Sequence, residues 1–491
     1  MVPDIVIEKI NDAYIKAHCD QSIAQELSDY FTFVVPGADH IKRARAKKTG
    51  RPIRWDGKIR LFSAATHRIH AGLRLHLELF ARENNYTVDY ENREDFLESE
   101  FSVDEANEFI SSLKLTLQPR DYQIEAFVHA VRNKRALLLS PTASGKSLII
   151  YLLSRYFYES GKVLVVVPTT SLVHQMASDF GEYSGINSDK FCHKILSGAE
   201  KESSMPFVIS TWQSIYKMPA EWFEQFKVVV GDEAHLFKAD SLSSIMNKLV
   251  DCPIRFGFTG TLDGSQTHKL VLEGLFGPVK KITTTAELIE QKHLADFKIK
   301  ALILTYPELI RQQFKGLSYQ DEIDYIVRCE PRNRFIVNLT RSLKGNTLLL
   351  FQYVEKHGDV LYNMLKGDNV FFVSGSVKGE IREDIRRAVE ECDDAIIIAS
   401  YGTFSTGVNI KNLHNVVFAS PTKSRIRNLQ SIGRGLRKGD KKTSAVLYDI
   451  ADDLSWKSRK NFTLLHFAER LKIYNEERFS YKTYNIGLNF V

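Results

Sequence analysis

Ala136-Leu-Leu-Leu-Ser140-Pro-Thr-Ala-Ser-Gly-Lys-Ser147-Leu-Ile-Ile-Tyr-Leu-Leu153 joins two apolar runs through a loop of small residues. The pattern predicts a buried strand, a tight turn and a helix N-terminus in succession. Backbone N–H groups of such a turn point inward, and the helix dipole favours an anion, so the segment is suited to cradle phosphate. Lys146 would reach the β- and γ-phosphates, and Ser147 would ligate Mg²⁺ through its hydroxyl. The strict phosphate-loop pattern has Gly where Ser140 stands; the competing reading is a Ser- and Gly-rich turn without a ligand.

Outward from this segment, runs rich in Val, Ile and Leu recur at Ala136–Leu139, Val163–Val167, Val228–Val230, Thr347–Phe351, Val370–Val373, Ala395–Ala399, Val416–Phe418 and Ala445–Tyr448. They lack strict alternation, which suits strands buried on both faces of a parallel sheet, and helix-like segments separate them. The series runs twice, from about Leu117 to Thr285 and from about Lys300 to Asp453, without a sequence repeat. The expected fold class is α/β, with doubly wound parallel-sheet domains at 116–290 and 291–454. A less regular segment, Ala286–Phe297, is the expected linker. Residues 1–115 predict a small N-terminal α+β domain, and 455–491 a short C-terminal helical extension. Ligands of such sheets bind at the carboxyl ends of strands, where the polar motifs of this chain fall.

The chain has 491 residues, too many for one ordinary core. No run approaches the roughly 18 apolar residues of a membrane span. Residues 1–10 alternate apolar and charged and lack the apolar core of a signal peptide. A soluble, cytoplasmic protein without membrane partners is expected. The five cysteines are scattered without a Cys-x-x-Cys pair, which argues against a zinc site or a disulfide framework. A net charge of +6 points only mildly to a polyanionic partner.

Two further motifs extend the phosphate loop. Asp232-Glu-Ala-His235 follows the run Val228–Val230 directly. Asp232 at a strand end can hold Mg²⁺, and Glu233 is then placed to polarise an attacking water. An acidic turn after a strand is the bland alternative. Gln430-Ser-Ile-Gly-Arg434-Gly-Leu-Arg437 sets two arginines on one helix face, able to approach a γ-phosphate across a domain cleft. A basic surface helix is the alternative for such a pair.

In this order, the motifs resemble those of superfamily 2 helicases over residues 117–453. The resemblance implies two RecA-like domains, ATP and Mg²⁺ as cofactors, and a nucleic-acid track. Gln123 in Pro119-Arg-Asp-Tyr-Gln123, with Arg120, matches the motif that reads adenine. Residues 140–147 match Walker A, so Thr142, Ala143, Ser144, Gly145, Lys146 and Ser147 are expected around the nucleotide; Ala143 stands where Gly is usual. Asp232–His235 is the DEAH form of Walker B, which adds His235 to the catalytic set. Val167–Gln175 resembles motif Ia and Ser210–Ser214 motif Ib, placing Thr169 and Thr211 on the nucleic acid. Thr259-Gly-Thr261 resembles motif III, which couples hydrolysis to movement. Ser400–Asn409 resembles motif V, with Thr403 toward nucleic acid and Gly407 toward nucleotide. Residues 430–437 match motif VI, whose arginines, here Arg434 and Arg437, act as fingers.

Within the superfamily the chain is similar to RecG-like phage DNA helicases of recombination and repair. The likeness rests on Trp55-Asp-Gly-Lys-Ile-Arg-Leu61, Gly198–Trp212, Pro219–Phe226 and Ser400–Asn409. It implies ATP-dependent action on branched DNA: fork regression, Holliday-junction migration and removal of R-loops, where RNA is met in a hybrid. In a phage protein, the compartment would be the host cytoplasm.

Lys42, Arg43, Arg45, Lys47, Lys48, Arg51 and Arg54, beside Trp55, form the densest basic stretch. Phosphate neutralisation there would give salt-sensitive binding, and the aromatic could stack on an unpaired base. A solvated loop is the alternative. The tail carries Lys457, Arg459, Lys460, Arg470 and Lys472 among Phe462, Phe467 and Tyr474, and its spacing fits a docking helix at least as well as a DNA contact. Three rival functions share these motifs: a double-stranded DNA translocase, an RNA helicase, and an ATP-gated branch-binding or annealing protein. The last has no need of a hydrolysis set.

Overall fold

The computed structural model describes residues 2–35, 37–50, 55–237, 239–375, 377, 379–403, 410, 412–420, 422, 424, 428–429, 431–433 and 444–490. Side chains are not described at 40, 41, 44, 45, 48, 49, 379, 380, 382 and 383. The chain divides into two compact units, Met1–Ser140 with Gly145–Ile282, and Thr283–Val491 with Pro141–Ser144.

The first unit holds two main sheets. The N-terminal one contains β1 (Ile5–Lys9), β2 (Tyr14–Cys19), β5 (Phe62–Ser63), β6 (Arg68–His70) and β7 (Val88–Tyr90), in the order β5-β6-β2-β1-β7. In β1, Ile5 and Ile7 point into the core while Val6 and Glu8 are partly exposed, as a sheet covered on one side requires. A separate two-stranded ribbon pairs β3 (Thr32–Val34) with β4 (Lys58–Arg60). The basic helix Ala38–Thr49 lies in the connection between these strands. Ala, Lys and Arg are good helix formers, and Gly50, left-handed at φ 67°, ends the helix. The stretch 38–49 is therefore a helix and not a loop.

The second sheet has β8 (Arg135–Leu139), β9 (Lys162–Val167), β10 (Cys192–Ile195), β11 (Phe207–Thr211), β12 (Phe226–Asp232), β13 (Ile254–Thr259) and β14 (Val279–Lys281). Their order is β10-β11-β9-β12-β13-β8-β14, and every pairing is parallel. Alternate residues of β9 enter opposite cores: Val163, Val165 and Val167 on one face, Leu164 and Val166 on the other. Both faces being dry, the sequence has no polar phase to show.

The N-terminal sheet packs on this second sheet's helices within the same unit. Leu270, from the helix Gln266–Phe276, belongs to the N-terminal hydrophobic core. A Cβ on Gly72 would lie 2.0 Å from the Glu273 carbonyl oxygen, so only glycine permits this backbone approach. The Asp12 N–H donates to the Val250 carbonyl at 2.8 Å, and His70 bonds Asn247 at 3.0 Å.

The second unit is built on β15 (Asp296–Thr305), β16 (Thr347–Phe351), β17 (Val370–Val373), β18 (Ile396–Ser400), β19 (Asn415–Phe418), β20 (Ser444–Asp453) and β21 (Tyr481–Gly487). The order is β17-β18-β16-β19-β20-β15-β21, again all parallel. The expected linker region is ordered: Thr284 and Glu287 form a capping box on the helix Thr285–Glu290. The C-terminal extension contains the helix Phe462–Glu476 and, after it, β21 beside β15, a strand the sequence reading did not foresee.

Polar groups fix that helix. The Glu322 carboxylate accepts from the backbone N–H of Phe462 at 2.9 Å and of Thr463 at 2.7 Å, which caps the helix start. Near its end Arg470 is paired with Asp449 of β20 at 2.8 Å, and the Tyr474 hydroxyl donates to the same carboxylate at 2.7 Å. Arg470, Phe467 and Tyr474 of the basic, aromatic tail are thus buried packing groups.

Candidate nucleotide site

Strands β12, β13 and β8 are neighbours, with Asp232 opposite Phe258 and Thr259 opposite Leu139. Three polar motifs therefore leave one rim of the sheet side by side. The Ser140 N–H donates to the Thr259 carbonyl at 2.9 Å, tying the start of the phosphate loop to motif III.

The loop turns twice through left-handed backbone, at Ala143 (φ 67°) and Gly145 (φ 75°). The Ser144 hydroxyl donates to the Pro141 carbonyl at 2.7 Å and holds the turn. The left-handed φ of Gly145 favours glycine, and a Cβ there would also stand 2.5 Å from Nε2 of Gln123. Gln123 is buried beneath the loop: its Oε1 accepts from the Arg120 N–H at 2.9 Å, and its Nε2 donates to the Gly145 carbonyl at 3.2 Å. The Arg120 guanidinium donates to the Tyr122 hydroxyl at 2.9 Å.

Lys146 opens the helix Lys146–Phe157, and its Nζ lies 3.7 Å from Oε1 of Glu233. Glu233 is itself left-handed at φ 51°, a conformation costing an L-residue about 1–2 kcal/mol. Strain of this kind persists where surrounding structure imposes it, and it gathers at functional sites. Asp232 is buried at the end of β12. Burial pushes its carboxyl up to about 6; the Lys146 ammonium pulls it down and the Glu233 charge adds to the rise.

His235 is buried, with Nδ1 3.0 Å from the Thr259 hydroxyl and 3.3 Å from Oε2 of Glu233. The Thr259 hydroxyl in turn donates to the Thr261 carbonyl at 3.0 Å. The His235 carbonyl accepts from Nε2 of His268 at 3.0 Å. Sequence reasoning found His235 and the Thr-Gly-Thr motif separately; it did not find their bond, nor His268, which carries no motif signal. It also missed Tyr183, whose hydroxyl lies 2.7 Å from that of Ser147. Nothing marks that tyrosine except its burial in the helix Thr170–Ser184.

The oxygen donors Ser147 and Asp232 suit a hard cation such as Mg²⁺. Among the described residues, no group of three His, Cys, Asp or Glu could hold a metal ion alone.

The other expected site residues are spread out. Thr169 caps the helix Thr170–Ser184, its hydroxyl accepting from the Leu172 N–H at 3.3 Å. Thr211 ends β11, buried, 2.9 Å from the Ser214 hydroxyl. Both thus lie at the carboxyl ends of adjacent strands, β9 and β11. In the second unit Thr403 is buried just beyond β18, bonded to Ser400 at 2.8 Å. In the basic helix Arg43 and Lys47 are exposed, whereas Lys42 is half-buried, 3.7 Å from Asp39. The Trp55 indole N–H donates to the Lys58 carbonyl at 2.7 Å. Arg51, Arg54, Gly407, Arg434 and Arg437 lie outside the described residues, as do the side chains of Arg45 and Lys48. Among the described residues no helix is long and apolar enough to cross a membrane.

Family models match in three places: "DNA helicase UvsW, N-terminal" over 4–91, "Type III restriction enzyme, res subunit" over 116–264, and "Helicase conserved C-terminal domain" over 331–439. The ATP-dependent DNA helicase UvsW of Enterobacteria phage T4 is 35% identical, covering 98% of this chain and 100% of that protein. The DNA 3'-5' translocase XPB2 of Sulfurisphaera tokodaii is 23% identical over 73% of this chain and 88% of its own. The crystal structure of T4 UvsW aligns over 99% of this chain and 100% of its own, with a TM-score of 0.51 and 32% identity. A type I restriction-enzyme HsdR fragment from Vibrio vulnificus, 16% identical, shares the fold over 93% of this chain and 84% of its own, with a TM-score of 0.58. With one relative matched end to end at this identity, the chain belongs to the UvsW family of ATP-dependent DNA helicases, within superfamily 2.

Proposed function

We propose that this chain hydrolyses ATP to move on DNA and to unwind or migrate branched structures: stalled forks, Holliday junctions and R-loops. The observation that carries the reading is the convergence of Lys146, Asp232, Glu233 and His235 with Thr259 on one sheet rim. Lys146 binds the β- and γ-phosphates, and the loop N–H groups around Thr142, Ala143, Ser144 and Gly145 complete the cradle. Gln123 and Arg120, assigned by motif, read the adenine. Glu233, held in a strained turn, orients the water that attacks the γ-phosphorus. Ser147 and Asp232 would hold Mg²⁺, which neutralises charge on the phosphates when bound. Arg434 and Arg437 are assigned by motif as guanidinium donors to the same phosphate. Thr169, Thr211 and Thr403 grip the nucleic-acid backbone, so base preference is slight. Lys42, Arg43, Arg45, Lys47, Lys48, Arg51 and Arg54, with Trp55, engage the branch. The host cytoplasm is the proposed compartment.

The test is ATP hydrolysis with forked DNA, single-stranded DNA, RNA or no nucleic acid, beside Glu233→Gln. Strong stimulation by forked DNA, lost in the variant, is expected. Stimulation by RNA alone would move the chain to the RNA helicases, and no hydrolysis at all would leave a nucleotide-gated binder. A second reading is translocation on duplex DNA without strand separation; the S. tokodaii relative is named a DNA 3'-5' translocase. Stimulation by plain duplex without strand displacement would establish it.

A further inference from the structure

The tail's basic residues divide into two groups. Arg470 is buried against Asp449, and Lys472 pairs with Glu469 at 2.7 Å. Lys457, Arg459 and Lys460 are exposed, and among the described residues none has an acidic partner within 4.0 Å. They sit on a tight turn in which Trp456 and Arg459 exchange backbone hydrogen bonds at 3.1 and 3.0 Å. Beside this turn is an open cleft of about 190 Å³. Trp456 and Phe314 line it half-buried, with Arg459, Lys460 and Lys315 at its edge. The Arg459 guanidinium reaches over the opposite turn, 3.7 Å from where a Cβ on Gly316 would stand.

Two features of this cleft have no use inside the fold. Among the described residues Trp456 stacks on no ring, and its indole N–H has no protein acceptor. Large apolar side chains stand in water around the cations: Leu317 is 39% exposed, Phe462 37% and Leu465 45%. Unpaired cations around an unstacked indole are complementary to a nucleotide, whose phosphates are anionic and whose base offers a flat π-face. The turn begins just after Asp453, at the carboxyl end of β20, the rim on which ligands of parallel sheets bind.

We propose that this cleft is a subsite for one unpaired nucleotide of a DNA strand, its base on the Trp456 indole and the flanking phosphates on Arg459, Lys460 and Lys315. It rests on the reading of the chain as a DNA motor and adds to that motor a strand contact outside the helicase motifs. An acidic peptide is the rival occupant, and it would need the cations but not the indole face.

The experiment uses the full chain and two probes of equal length and phosphate number, oligo-dT and an abasic strand, with binding read by fluorescence anisotropy. Trp456→Ala should weaken oligo-dT about ten-fold, the scale of one lost base stack, and leave the abasic strand within about two-fold. Arg459→Glu with Lys460→Glu should weaken both probes and flatten the salt dependence. Equal loss of both probes in Trp456→Ala, or loss of neither, overturns the proposal. So does displacement of oligo-dT by polyglutamate at equal charge. Unstimulated ATP hydrolysis serves as the folding control. If Trp456→Ala fails it, photocrosslinking of 4-thiothymidine strands to the wild-type chain decides: a crosslink within 455–462 supports the subsite, and crosslinks only elsewhere sink it. Wild-type ATPase without DNA stimulation would refute the motor reading, whatever the Trp456 variants do.

Discussion

The imidazole of His235 lies 3.0 Å from the hydroxyl of Thr259, joining the DEAH turn to motif III across adjacent strands. Because that hydroxyl gives its proton to the Thr261 carbonyl, it receives one from Nδ1 of His235. A change at the Glu233 turn can thus reach the Thr-Gly-Thr loop through one buried bond. Thr259→Val keeps the shape and removes the bond, at a cost of about 1–3 kcal/mol for the unsatisfied partner. We expect ATP hydrolysis within about ten-fold of wild type but strand displacement per ATP reduced at least ten-fold, and Thr259→Ser to restore it. Parallel loss of both activities would mean that the bond serves hydrolysis alone.

The C-terminal helix owes its seat to the pair Arg470–Asp449, in which both side chains are at most 1% exposed. Removing one member of a buried pair leaves the other charge uncompensated, at a cost of about 3–5 kcal/mol. Arg470→Ala should lower urea stability by that amount. Lys472→Ala, which breaks an exposed pair with Glu469, should cost under about 1 kcal/mol. Similar costs for the two would show that the helix is not anchored at Arg470.

The central strands were legible in the sequence because burial on both faces leaves a continuous apolar run, as in Val163–Val167. Edge strands needed only one covered face, so Cys-His-Lys-Ile at 192–195 and Tyr-Lys-Thr-Tyr-Asn-Ile-Gly at 481–487 gave no such run. In Ile5-Val-Ile-Glu-Lys9 the intervening Val6 is apolar too, so the alternation of buried and half-buried positions does not show in the sequence. At the candidate nucleotide site the motifs picked out Lys146, Asp232, Glu233 and His235, which the fold brings together on one sheet rim. They could not reveal Tyr183 or His268, because those residues act through a contact between distant segments. In the tail, sequence gave one basic, aromatic stretch; only the fold separates buried Arg470 from exposed Arg459.

His70 gives the first unit a pH dependence with a defined sign. Burial drives its pKa from 6.5 down to about 4; the bond to Asn247 opposes this, and the Arg255, Arg135 and Arg68 charges add to it. Between those values the unfolded chain binds a proton that the folded chain refuses. The contribution is therefore complete above about pH 6.5 and is lost progressively as pH falls toward 4. Urea unfolding of wild type and His70→Gln at matched pH should give a stability difference that shifts in favour of the variant across that window. A pH-independent difference would mean that His70 accepts a proton without penalty.

Ala143 occupies a left-handed position, φ 67°, within the phosphate loop. An L-side chain there costs about 1–2 kcal/mol, and glycine recovers this less about 0.5–1 kcal/mol of chain entropy. Ala143→Gly should therefore bind ATP as well as wild type or up to about ten-fold tighter, with hydrolysis intact. Ala143→Val adds a β-branch where positive φ tolerates it least, so the loop must leave its cradle geometry and affinity should fall at least ten-fold. Titration with a fluorescent ATP analogue reads both variants. Equal affinity for the Gly, Ala and Val forms would show that the nucleotide imposes its own loop conformation on binding, and that the left-handed turn is not the one that holds phosphate.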